Sequence, residues 1–300
     1  MAIEFDGDVV VITGAANGLG REYAKLIASR GGRVVVNDIG GSTTGEGSDE
    51  SAAAGAVREI EEAGGTAVAD THDGSTAEGA QAMIKTALDT YGKIEALIAN
   101  AGILRDKSFH KVTDEDFWKV VDVHLRGTVN VYKAAYPLMR EQGYGRLACT
   151  TSAAGLFGNF GQANYAAAKM GIVGLSKVVA IEGQKHNVLS NVIAPGALTR
   201  LSEKDFPDGM VGKDKSDPKL VAPIAAVLAH RSLTVTGEIF SVGLGRFSRV
   251  RLSSTPGAFS MDPTPEWVAE SMDEILSNED VVFPANVMED MAMVFAEGRA

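Results

Sequence analysis

Tyr165 and Lys169 stand four residues apart in the run Asn164-Tyr165-Ala166-Ala167-Ala168-Lys169, thirteen residues after Ser152. Far upstream lies a glycine loop, Thr13-Gly14-Ala15-Ala16-Asn17-Gly18-Leu19-Gly20. Residues four apart share one helix face, so the Lys169 ammonium can sit near the Tyr165 phenol and favour its ionised form. A positive neighbour lowers a tyrosine pKa toward the working pH of a general acid/base. A Tyr-x-x-x-Lys spacing by itself arises in any alanine-rich helix, as a packed tyrosine beside a solvated lysine. The serine, the glycine loop and an acid after the second strand distinguish this one, and together they specify hydride chemistry on a nicotinamide.

The loop has the context that a nucleotide site needs. Val9-Val10-Val11-Ile12 reads as a buried parallel strand. It runs into Gly14, Gly18 and Gly20, and the apolar stripe Leu19, Tyr23, Leu26 and Ile27 follows at helical spacing. Such a turn lets backbone approach a pyrophosphate, while the helix N-terminus offers unpaired N–H groups and partial positive charge. The spacing is Gly-x-x-x-Gly-x-Gly, which departs from the commonest dinucleotide pattern. A second strand, Arg33 to Asn37, ends at Asp38, about where a ribose-binding acid belongs. A carboxylate there accepts from both ribose hydroxyls and repels the extra phosphate of NADP, so the expected cofactor is NAD. Read blandly, Asp38 is a turn-forming acid before Gly40-Gly41.

The elements that must position these groups repeat as β-α units from residue 1 to 245, which predicts a doubly wound parallel sheet, Rossmann-type, of about seven strands with a C-terminal extension over 246–300. The expected strands are 9–12, 33–37, 66–70, 94–98, 145–151, 188–193 and 238–242. Gly40 to Ser48 is too glycine-rich for regular structure and reads as a surface loop near the adenosine end. Leu201 to Lys219 is charged and interrupted by Pro207, Gly209, Gly212 and Pro218, and it reads as a mobile substrate lid. The extension carries Phe247, Val250, Leu252, Phe259, Met261 and Trp267, too many apolar residues for a disordered linker. It is expected to pack on the same domain or on a partner subunit.

Composition narrows the classes further. The 300 residues carry a net charge of −11, which argues against broad binding to a nucleic-acid backbone. No apolar run approaches the length of a membrane span, and no secretory leader is recognisable. The lone Cys149, in an expected strand, fits a reducing, cytoplasmic setting and a buried inert thiol. His72, His110, His186 and His230 show no metal-ligand spacing, so no metal site is expected. No Gly-x-Ser-x-Gly elbow surrounds Ser152, which disfavours a serine hydrolase.

These residues resemble the short-chain dehydrogenase/reductase family, in order and at near-family spacing: the loop at 13–20, Asn100-Ala101-Gly102, Ser152, Tyr165, Lys169 and Pro195-Gly196. Within it, four stretches are similar to the (3R)-hydroxyacyl-CoA dehydrogenases: Asn37 to Gly41, Gly102 to Asp106, Val123 to Gly127 and Gly158 to Tyr165. The resemblance implies that Tyr165 is the acid/base, that Ser152 holds the substrate oxygen, and that Lys169 binds the nicotinamide ribose as well as tuning Tyr165. It implies that Gly14, Asn17, Gly18, Leu19 and Gly20 cradle the cofactor with Asp38, that Asp73 and Gly74 meet the adenine, and that Asn100, Ala101 and Gly102 line the site. Pro195, Gly196 and Thr199 would flank the nicotinamide, and Thr199 stands one residue nearer Pro195 than in most members.

His124 takes the place of an asparagine at a helix distortion that supports a proton-relay water, and the expectation is that its backbone carbonyl acts there. The implied reaction is NAD-dependent oxidation of a (3R)-3-hydroxyacyl-CoA by a homodimer or homotetramer. A 17β-hydroxysteroid dehydrogenase or an acyl-carrier-protein reductase would keep the same residues. A nucleotide-binding module without turnover is the remaining alternative.

Overall fold

The computed structural model describes residues 2–201 and 215–297. Most of the expected lid, residues 202–214, lies outside the described residues. The chain divides into two compact units, Met1–Arg249 and Val250–Ala300.

In the first unit, seven short β-branched or apolar runs become the strands β1 (Val9–Thr13), β2 (Arg33–Asn37), β3 (Thr66–Asp70), β4 (Ala96–Ala99), β5 (Gly145–Thr150), β6 (Val188–Gly196) and β7 (Ile239–Gly243). Strand β1 is buried along its whole length, as parallel strands covered on both faces must be. An eighth strand, β8 (Arg246–Val250), extends the sheet, whose order is β3-β2-β1-β4-β5-β6-β7-β8. The sheet of about seven strands is borne out, and β8 adds a strand that was not among the seven expected ranges. Leu244 and Gly245 join β7 to β8 with φ of 53° and 78°. Positive φ at both central residues is the two-residue hairpin turn that matches strand twist. The signal was present as a glycine two residues past an apolar run, but Arg246, Ser248 and Arg249 mask the strand pattern.

Helices cover the sheet. Helix α1 (Gly18–Ser29) packs beside α2 (Glu50–Glu62) and α8 (Ala222–Ala229), while α3 (Ala77–Tyr91) packs on α5 (Gly127–Gln142). The short α4 (Asp114–Val121) and α6 (Ala153–Phe157) both pack on α7 (Ala163–Gly183), the helix that carries Tyr165 and Lys169. Between α4 and α5 the backbone passes through a π-helical turn, Asp122–Arg126. Strand order reverses between β1 and β4, so the crevice outside their carboxyl ends is where ligands bind in open α/β sheets. Among the described residues no helix is long and apolar enough to cross a membrane.

The second unit contains α9 (Pro265–Glu270), α10 (Met272–Ile275) and α11 (Val287–Glu297). Thr264 caps α9 by accepting from the Trp267 N–H at 3.1 Å, and Pro265 occupies the first turn, where its missing N–H costs nothing. An antiparallel bridge joins Ser254 and Val282, and the Ser254 hydroxyl donates to Asp290 Oδ1 at 2.7 Å. Met261, Leu276 and Met288 are exposed.

Candidate active site

The carboxyl ends of β1, β2, β4, β5 and β6 open onto a cleft of about 680 Å³. It gathers Gly14, Asn17, Gly18, Leu19, Asp38, Asp73, Gly74, Asn100, Ala101, Gly102, His124, Ser152, Tyr165, Lys169, Pro195, Gly196 and Thr199 along one wall system. Gly20 does not line it. That glycine is buried one turn into α1, and a Cβ there would lie 2.2 Å from the Gly14 carbonyl oxygen. Its absence of side chain is what lets the helix start so close to the loop.

The floor is tied by Thr13. Its hydroxyl accepts from the backbone N–H groups of Asn100 (2.9 Å) and Ala101 (3.0 Å), and Asn100 Nδ2 returns hydrogen bonds to the carbonyls of Thr13 and Gly14. Sequence reading placed Thr13 at the head of the glycine loop but gave it no role, its only signal being a hydroxyl at the end of a buried strand. Gly14 has φ of 65°, and a Cβ on it would meet the Ala101 Cα at 2.7 Å. Asn17, at the N-cap of α1, makes no side-chain cap hydrogen bond. The first N–H groups of the helix therefore keep their capacity for an anion. Asp38 accepts from the N–H of Ala16 at 3.0 Å with one oxygen and of Gly40 at 2.8 Å with the other. Each oxygen retains further acceptor capacity toward a ribose.

The opposite end holds the reactive side chains. Ser152 is the N-cap of α6, its Oγ accepting from the Ala154 N–H at 3.2 Å while its own hydrogen remains available to a ligand. Lys169 is buried, and its Nζ donates to the Thr150 carbonyl at 2.7 Å and lies 5.4 Å from the Tyr165 ring centroid. Burial pushes this ammonium down to about 7. Thr150 borders the same cleft, and its Oγ1 is buried with no hydrogen-bond partner among the described residues. The uncapped helix N-terminus and the acceptor Asp38 at one end of the cleft, with Ser152, Tyr165 and Lys169 at the other, fit a nicotinamide dinucleotide.

His124 sits in the π-helical turn, a distortion frequent at functional sites. Its backbone carbonyl accepts the Thr128 hydroxyl at 2.7 Å. Its buried ring meets the Tyr165 ring edge-on at 5.1 Å between centroids, and its Nε2 lies 2.8 Å from the carbonyl and 3.1 Å from the N–H of Ile103. Burial, then the nearby Lys169 charge, holds its pKa well below the usual histidine value, so the ring is neutral. Gly102 makes room for it, since a Cβ there would fall 2.2 Å from the ring Cε1. Gly102→Ala is accordingly expected to destabilise the protein by about 1–3 kcal/mol through overpacking, read as a lowered urea midpoint with an unchanged m-value. An unaltered midpoint would show that the ring moves freely.

The stretch from Gly40 to Ser48 is a wall of the cleft, with Gly41, Ser42, Thr43 and Gly45 facing it. Cys149 is buried and its thiol is pushed up to about 11 by that burial, so it stays protonated and inert at neutral pH.

Residues 8–208 match the family model described as short chain dehydrogenase. Over 296 residues the chain is 44% identical to peroxisomal multifunctional enzyme A of Dictyostelium discoideum, an alignment covering 99% of this chain and 66% of that protein. The solved full-length peroxisomal multifunctional enzyme type 2 of Drosophila melanogaster superposes with a TM-score of 0.82 at 36% identity, over 98% of this chain and 50% of that one. A 7α-hydroxysteroid dehydrogenase, solved with NADH and 7-oxo glycochenodeoxycholic acid, superposes with a TM-score of 0.73 at 28% identity, over 81% of this chain and 95% of that one. The chain thus spans between half and about two thirds of the length of the two multifunctional enzymes.

Proposed function

The chain belongs to the short-chain dehydrogenase family, a family of nicotinamide enzymes acting on CH–OH groups, and from that premise we propose that it oxidises the 3-hydroxyl of a (3R)-3-hydroxyacyl-CoA to the ketone with NAD. The observation that carries the proposal is the meeting, in one cleft, of Ser152, Tyr165 and Lys169 with an uncapped helix N-terminus and the acceptor Asp38. The bound nicotinamide supplies the acceptor for the hydride leaving the carbinol carbon. Tyr165 takes the hydroxyl proton as that C–H bond breaks, so the alcohol loses two electrons and two hydrogens and becomes the carbonyl. Ser152 donates its remaining hydrogen to the same oxygen and holds it in line with the phenol. Lys169 places positive charge behind the tyrosine and binds the ribose. His124, pinned through Ile103, holds the other side of the Tyr165 ring.

Gly14, Asn17, Gly18 and Leu19 would hold the pyrophosphate, and Gly20 keeps the loop close to the helix. Asp73 and Gly74 would meet the adenine, Asn100, Ala101 and Gly102 would line the cofactor, and Pro195, Gly196 and Thr199 would flank the nicotinamide. Asp38 supports the choice of NAD over NADP, because its carboxylate binds two ribose hydroxyls and opposes a phosphate. Asp38→Ser should narrow the ratio of kcat/KM for the two cofactors; an unchanged ratio would move the selectivity elsewhere.

The multifunctional relatives support the acyl-CoA substrate. The hydroxysteroid dehydrogenase neighbour favours a steroid alcohol as the second reading. A spectrophotometric screen of CoA thioesters, free hydroxy acids and hydroxysteroids with each cofactor separates the two. NADH formation from hydroxyacyl-CoA is expected, and turnover of hydroxysteroids alone would overturn the substrate. Exposed Val178 and Ile181 on α7 support a homodimer or homotetramer. The buried, inert Cys149 supports a reducing, cytoplasmic setting, whereas the word peroxisomal belongs to the relatives' names. The extension after residue 245 is proposed to serve the acyl-CoA site or a subunit contact.

A further inference from the structure

The wall segment Gly40–Ser48 is closed at its base and tied down at its tip. At the base the Asp49 N–H donates to the Ile39 carbonyl at 2.9 Å, and within the segment the Ser42 N–H donates to the Glu46 carbonyl at 2.9 Å. A compact loop with its ends together is a unit that can move as one body. Its tip is held by the residues that follow Asn100-Ala101-Gly102. The Leu104 N–H donates to the Thr43 carbonyl at 2.9 Å, and Arg105 Nε donates to the Thr44 carbonyl at 2.9 Å. The Arg105 guanidinium also pairs with Glu46 on the loop, and with Asp116 at 3.2 Å on α4. Only 11% of the Arg105 side chain is exposed, against 71% for Glu46, so the arginine is the fixed half of this clasp.

Arg105 is fixed from the reactive end of the cleft. Asn164, the residue before Tyr165, donates from its side chain to the Arg105 carbonyl at 3.1 Å and to the Asp116 carbonyl at 3.3 Å. Two residues on, the Lys107 N–H donates to the Gly161 carbonyl at 2.9 Å, and Gln162 Nε2 donates to Asp106 Oδ2 at 2.8 Å. One short segment therefore grips both the loop beside Asp38 and the turn that leads into Tyr165.

We propose that Arg105 is a positioning residue that latches the Gly40–Ser48 strap over the adenosine end of the cleft, so that the dinucleotide leaves only after the Arg105 contacts to Thr44 and Glu46 part. This rests on the reading of the cleft as a nicotinamide dinucleotide site. The strap forms one side of the adenosine pocket, and the cofactor's affinity and lifetime depend on how long that side stays in place. In enzymes of this kind a loop opening commonly sets the rate of product release. Arg105 does not touch the reacting atoms, so its loss shifts cofactor binding more than the chemical step.

The test uses the full chain. NADH binding is followed by fluorescence, its release by stopped-flow displacement, and KM for NAD and kcat are measured for the parent, Arg105→Ala, Arg105→Lys and Glu46→Gln. Losing charge-assisted hydrogen bonds at a partly shielded site predicts a rise of about tenfold in NADH release rate and in KM for NAD with Arg105→Ala. kcat should not fall in proportion. Arg105→Lys keeps the charge without the planar fork and should restore part of the loss. Glu46→Gln alters an exposed loop residue and carries the same test if Arg105→Ala does not fold. Release rates and KM within twofold of the parent in both loosened variants would overturn the latch. A parent that binds no NADH would overturn the nicotinamide reading itself, and the latch with it.

Discussion

Tyr165→Phe is expected to lower turnover at least about 10²-fold while leaving NADH affinity close to that of the parent, because general acid/base catalysis by a positioned side chain is worth about that much or more. The substitution removes one oxygen and keeps the ring, so the edge-on contact with His124 at 5.1 Å survives. The cleft residues around Asp38 lie at the other end of the sheet's carboxyl edge and should not respond. The measurement is single-turnover hydride transfer at saturating NAD, which isolates the chemical step. Near-parent rates in that experiment would remove Tyr165 from the role proposed for it.

Lys169→Met carries the next largest effect, and it acts through charge. An opposite charge within reach favours an ionised partner by roughly 10- to 10³-fold in population. With Nζ 5.4 Å from the Tyr165 ring, loss of the ammonium should slow hydride transfer by a factor in that range. Stability should change in the opposite sense at neutral pH. The folded-state pKa of Lys169 is about 7 against an ordinary 10.5. Between those values the unfolded chain holds a proton that the folded chain has released, so folding is favoured as pH rises through the window. Below about 7 the buried ammonium opposes folding in full. The parent's Tm relative to Lys169→Met should therefore climb from pH 7 to pH 9. If the complex uses the ammonium, NAD binding at pH 8 should take up a proton, seen by calorimetry in buffers of different ionisation enthalpy. A pH-independent difference in Tm would mean that the lysine is solvated rather than buried.

Much of this arrangement was legible in residue types and spacing. Val9–Thr13 reads as a buried strand from its β-branched run, and the glycines after it as a close turn; the structure agrees, since a Cβ at Gly14 or Gly20 would meet backbone. Tyr165 and Lys169 share a face of α7 because α-helical periodicity places them there. What was not legible depended on partners distant in sequence. β8 is the exception: its partner β7 is adjacent and Gly245 marks the turn, but Leu244 must take a left-handed conformation that its side chain disfavours, and Arg246, Ser248 and Arg249 mask the strand. The Gly40–Ser48 segment reads as a loose loop until Arg105 closes on it from 59 residues away. The His124 ring fits its site only because Gly102, far along the chain, is empty beneath it. The reading of His124 through its carbonyl also missed that Thr128, one turn on, donates to that oxygen.

The central claim is that this cleft removes a hydride from a (3R)-3-hydroxyacyl-CoA while Tyr165 takes the proton. The most direct measurement is the initial rate of NADH formation at 340 nm with matched (3R)- and (3S)-3-hydroxyacyl-CoA, for the parent and Tyr165→Phe at saturating NAD. The account predicts NADH from the 3R substrate, little from the 3S, and a loss of about 10²-fold or more in the variant. Equal rates with both stereoisomers, preference for 3S, or no NADH from either would contradict it.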